Sequence, residues 1–61
     1  MKLERLKKLR KRKRITQKQL AAEIGISVNA LSMYERGLRF PRVKTLEKLA
    51  ETLNCKIRDL I

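Results

Sequence analysis

Residues 17 to 36, QKQLAAEIGISVNALSMYER, set the tightest constraint on the fold. Two short helical stretches meet there across only Gly25-Ile26-Ser27. Three residues are too few for a relaxed antiparallel return, so the second helix must leave the first at a steep angle. Gly25 supplies the left-handed backbone that such a tight exit needs. Leu20, Ile24, Ile26, Leu31 and Tyr34 provide a shared apolar contact, and Ala21 a small side chain where the backbones approach.

The flanking sequence extends this helix-turn-helix arrangement into an all-α domain. Leu3, Leu6 and Leu9, three apart with charge between them, predict a first helix that stops near Arg14. Thr16 is a favourable N-cap for the second helix, and Ser27 for a third that runs to about Arg36 and closes at Gly37. Pro41 holds GLRFPR as a loop. VKTLEKLAETL then places Val43, Leu46, Leu49, Ala50 and Leu53 on one stripe of a fourth helix. Asn54 can close that helix with positive φ, and KIRDLI tucks Ile57 and Leu60 into the core. Strand patterns, repeats and linkers are absent from the sequence. The expectation is a compact four- to five-helix bundle, one domain over residues 1–61, with the motif at about 17–36.

Size and charge limit what such a bundle can do. A chain of 61 residues buries only about 60% of its unfolded surface, which disfavours a deep catalytic pocket. Seventeen Lys/Arg against six Asp/Glu give a net charge of +11 and predict a polyanionic partner. Nine of those seventeen lie within residues 2–14, beside the single acid Glu4. Without histidine, and with Cys55 alone, neither a zinc site nor an internal disulfide is expected, and Cys55 reads as a small core side chain. The pattern offers no phosphate-cradling glycine loop and no carboxylate pair suited to acid–base work. We therefore expect no enzyme, no cofactor, no metal and no small-molecule substrate. The N-terminal stretch has no uncharged centre and no apolar run is long enough to span a bilayer, so a cytoplasmic protein without membrane contact is expected. A membrane-surface role for the basic first helix is the weaker reading, because Leu3, Leu6 and Leu9 are better used to close the bundle.

The third helix carries the informative surface. With successive residues turned by about 100° and Val28 taken as the origin, Ser32 falls at about 40° and Arg36 at about 80°. Asn29 falls at about 100° and Met33 at about 140°. Leu31 and Tyr34 lie at about 300° and about 240°, on the opposite side. A stripe meant only for solubility would carry Glu and Lys. Asn can bond an adenine edge bidentately, and Val or Met can pack on a thymine methyl, whereas arginine belongs on the rim with the phosphates. Val28, Asn29, Ser32 and Met33 are accordingly the candidates for base contact in a DNA major groove.

Three elements in order give the sequence a family resemblance: TQKQLAAEIGIS, the YERG that closes the third helix, and P-x-x-x-TL-x-KLA in the fourth. From about Leu6 to the end, the chain resembles the Cro and lambda-repressor (XRE-like) type of helix-turn-helix DNA-binding domain. That resemblance implies sequence-specific binding of double-stranded DNA, with the helix at about 27–36 in the major groove, in a transcriptional regulator or an engineered DNA-binding module. It implies phosphate contacts from Arg10, Thr16, Gln17, Ser27, Arg36, Arg39, Arg42 and Lys44, with Gln17 also bracing the reading helix. It further implies an internal ion pair between Arg10 and Glu35, Arg10 serving both purposes. Three departures stand out. Arg14 replaces a frequent glycine and would strain its turn by about 1 kcal/mol. Lys56 replaces a Ser or Thr cap at the final turn, and Val28 and Met33 replace long polar side chains. A homodimer on DNA and a monomer both remain open, as does an RNA- or protein-binding module built on the same basic bundle.

Overall fold

A computed structural model describes residues 3–61; Met1 and Lys2, which begin the expected domain, lie outside the described residues. Four α-helices follow in order: α1 (Leu6–Arg12), α2 (Gln17–Ile24), α3 (Val28–Glu35) and α4 (Val43–Thr52). A 3-10 turn (Ile57–Asp59) closes the chain, and the described residues contain no strand. None of these helices is long and apolar enough to cross a membrane.

The helix ends of the central motif are set by local chemistry. The Thr16 hydroxyl accepts from the Gln19 amide at 3.0 Å, while the Gln19 side chain accepts from the Thr16 amide at 2.8 Å. This reciprocal capping box satisfies two otherwise orphaned donors. Gly25, at φ 75°, ends α2 in the left-handed conformation, and its N–H returns to the Ala22 carbonyl. Ser27 starts α3 by accepting from the Ala30 amide at 3.0 Å.

The core is mostly leucine. Leu3, Leu6, Leu20, Leu31, Leu49, Leu53 and Leu60 are essentially inaccessible, and Ala21, Ile24, Tyr34, Leu46 and Ala50 join them. Each fully buried leucine contributes about 1.5–3 kcal/mol relative to exposure. α2 sits centrally, packed on both α3 and α4. The Arg5 amide donates to the Leu60 carbonyl at 3.2 Å, tying the start of the chain to its end.

Four details differ from the sequence reading. α1 is shorter than expected, because Leu3–Arg5 precede the helix and Lys13-Arg14 leave it early. Val43 is 70% exposed and does not join the core stripe. On the α4 wheel, Leu46, Leu49, Ala50 and Leu53 centre about 70° away from Val43, so its side chain overhangs the edge. Cys55 is half-buried against the core, not sealed within it. The final turn does have a cap: the Asp59 carboxylate accepts from the Lys56 amide at 2.9 Å, replacing the hydroxyl that Lys56 lacks. Arg14 does adopt a positive φ, 59°, and Asn54 closes α4 at 53°.

Candidate nucleic-acid interface

α3 presents two unlike sides. Leu31 is fully buried and Tyr34 nearly so, which fixes the inner side of the helix against α2 and the core. Val28 is 42% exposed, Asn29 is exposed, and Ser32 and Met33 on the same outer stripe are half-buried. The four candidate base-contact residues therefore share one accessible face, backed by rigid packing.

A buried polar network fixes the far end of that helix. Arg10 Nε donates to Glu35 Oε2 at 2.6 Å, and its Nη2 to Oε1 at 3.3 Å. Arg10 Nη1 donates to the Ile15 carbonyl at 2.7 Å, and Gln17 Nε2 donates to Glu35 Oε1 at 2.9 Å. Glu35, on α3, is thereby tied to α1, to the α1–α2 turn and to the first residue of α2. The Glu35 side chain is 2% exposed and that of Arg10 9%. Burial at this depth is tolerable only because the opposite charges meet with extra hydrogen bonds. Among the described residues, no buried side-chain nitrogen or oxygen lacks a partner.

The network contains the ion pair expected between Arg10 and Glu35. The Arg10 guanidinium is nearly buried, and three of its five N–H donors go to Glu35 and the Ile15 carbonyl. Its place in the sequence carries the signal: Leu6 and Arg10 are four apart on α1, so Arg10 shares the inward stripe of Leu6. Gln17 turns its side chain to Glu35, which makes it a brace for α3. One side-chain N–H and the unpaired main-chain amides of the first turn of α2 are left for an anion.

Other rim residues are accessible. Thr16 and Ser27 accept capping bonds, and each hydroxyl retains its own proton to donate. Arg36, Arg39, Arg42 and Lys44 are all exposed. The loop after α3 is pinned back to it: Gly37 N–H donates to the Tyr34 carbonyl at 3.2 Å and Leu38 N–H to that of Met33 at 2.9 Å. Arg39 N–H also approaches the Met33 carbonyl at 3.4 Å. The cations at 36 and 39 thus hold a fixed relation to the α3 stripe. Gln19 and the Ile15 carbonyl were missed by the sequence reading. The T-x-x-Q spacing could have disclosed the first; nothing local signals the second.

Thiol chemistry has no support here. Burial, then the neighbouring Asp59 carboxylate, push the Cys55 thiol above its ordinary pKa, against the opposing pull of Lys13. A thiol held protonated is a poor nucleophile.

Known proteins share this arrangement in sequence. A family model described as Helix-turn-helix matches residues 6–60. An uncharacterised HTH-type transcriptional regulator of Bacillus subtilis (strain 168), YqaE, is 40% identical over 58 residues, covering 95% of this chain and 50% of its own. The cryptic phage CTXphi transcriptional repressor RstR of Vibrio cholerae (serotype O1, El Tor Inaba N16961) is 42% identical over 57 residues, covering 93% and 51%. The HTH-type transcriptional regulator DdrOP3 of Deinococcus deserti is 42% identical over 58 residues, covering 95% and 45%. The chain thus spans about half the length of the curated relatives it matches.

Proposed function

Since the chain belongs to the helix-turn-helix family of the Cro and lambda-repressor (XRE-like) type, we propose that it is the DNA-binding part of a transcriptional regulator, acting by binding and not by catalysis. α3 lies in the major groove. Val28, Asn29, Ser32 and Met33 read base edges, and Thr16, Gln17, Ser27, Arg36, Arg39, Arg42 and Lys44 hold the flanking phosphates. The observation that carries this reading is the accessible, nearly charge-free stripe on a helix whose other side is locked by Leu31, Tyr34 and the Glu35 network. Uncharged side chains at the centre suit base edges; cations at the rim suit phosphates. The relatives' names as transcriptional regulators support the assignment to gene control.

Two copies on one operator would sit on half-sites about 34 Å apart. With Cα extents of 24 × 21 × 19 Å, the described residues of two such copies approach each other through rim side chains. Leu38 and Phe40, in the loop that follows α3, are exposed apolar groups, and they suit that contact.

Selection from a randomised duplex library, followed by major-groove methylation protection, tests the proposal. A recovered motif with guanine N7 protection is expected, and a palindrome would report paired copies. The four rim cations account for a slope of about −3.6 in log K against log[salt]. Equal competition by duplex RNA would overturn the reading, because the narrow major groove of A-form RNA excludes α3.

A further inference from the structure

We propose that Arg14 is an additional phosphate anchor, an assignment that rests on the DNA reading above. Four described residues have left-handed backbones: Gly25, Gly37, Asn54 and Arg14. Glycine takes that conformation without steric cost and asparagine is enriched in it, whereas a long side chain is disfavoured there. Arg14 is the exception, at φ 59°.

The surrounding bonds show why the conformation is obligatory. The Arg14 amide donates to the Lys11 carbonyl at 2.9 Å, and the Ile15 amide to that of Arg10 at 3.4 Å. Arg10 then grips the Ile15 carbonyl with its guanidinium. Whatever residue stands at 14 is held left-handed by bonds on both sides of it. The arginine side chain does not offset that strain within the fold. It is exposed, and among the described residues it has no hydrogen-bond or ion-pair partner. A strained, exposed residue whose side chain stabilises nothing in the fold points to a role in binding.

Position indicates which role. Arg14 lies two residues before the Thr16 cap, within about 7 Å of chain from it. Arg12 and Lys13 line a separate groove with Leu53, Asn54, Cys55 and Asp59. Arg10 is committed to Glu35. Arg14 therefore offers an unpaired charge two residues before the α2 cap, while Arg10 is held by Glu35.

Arg14→Asn and Arg14→Lys test this, with urea denaturation and duplex affinity followed across salt. For Arg14→Asn the urea midpoint should match or exceed that of wild type, since asparagine tolerates the backbone. Affinity should fall about fivefold at about 0.15 M salt, the release of about 0.9 counterion, alike on selected and random duplex. The salt slope should flatten by about 0.9, from about −4.5 to about −3.6, and Arg14→Lys should restore it. An unchanged slope in Arg14→Asn, a loss confined to the selected site, or a lowered urea midpoint would each overturn the role of Arg14 while wild-type binding leaves the DNA reading intact. Wild-type protein with no duplex footprint would overturn both.

Discussion

Glu35→Ala strands a buried charge. In the wild type the carboxylate accepts three N–H bonds, two from Arg10 and one from Gln17, at 2.6, 3.3 and 2.9 Å. Removing it leaves the Arg10 guanidinium nearly buried, with only the Ile15 carbonyl still placed to accept. Breaking a buried pair in this way costs about 3–5 kcal/mol. The lower end applies here, because one bond to Arg10 survives and its side chain keeps 9% exposure. A domain of this length holds only about 3–9 kcal/mol in total, at roughly 0.05–0.15 kcal/mol per residue. Glu35→Ala should therefore lower Tm by about 12–24 °C, at roughly 4–8 °C per kcal/mol. The double variant Arg10→Met/Glu35→Leu removes both charges and should recover most of the loss, since apolar replacements of buried pairs are often neutral or better. A double-mutant cycle by urea denaturation, followed by circular dichroism, measures the coupling. Two results would refute this account of how α3 is held: a Glu35→Ala stability indistinguishable from wild type, or a double variant whose losses simply add.

Two further predictions concern the frame. Gly25→Ala should cost about 1 kcal/mol by urea denaturation: a Cβ there meets no atom within 4 Å, so only the positive φ resists it. A cost above about 3 kcal/mol would mean that packing at the turn had been misjudged. Cys55 should react with a disulfide reagent more slowly in the native protein than in urea at a pH of about 8, where ordinary thiols begin to ionise. Its folded pKa is raised, so the folded state keeps the proton longer, and any associated stability is present at lower pH and lost as pH climbs past the ordinary value of 9.0. Equal native and unfolded rates would contradict the burial.

What the sequence disclosed, and what it withheld, follows from how far each determinant reaches along the chain. α2 and the start of α3 were legible to the residue because Thr16, Gly25 and Ser27 act on main-chain groups within four positions of themselves. The bounds of α1 were not. Its lysines and arginines favour helix throughout, and its end is set by Arg10 reaching to Ile15 and Glu35, the latter 25 residues away. Val43 obeyed the helical period but fell at the edge of the stripe in the first turn of α4, where the bundle no longer covers it. At the candidate interface, periodicity separated the outer stripe from Leu31 and Tyr34. It could not reveal that Gln17 commits an amide proton to Glu35, because that depends on how α2 and α3 cross.

Whether the exposed stripe of α3 discriminates between bases is measured most directly by Asn29→Ala. Titrated in parallel against the selected duplex and a random one, this variant should lose about 1–3 kcal/mol on the first and little on the second. Arg39→Ala should weaken both alike. Equal losses for Asn29→Ala on the two duplexes would mean that this face binds DNA without reading it.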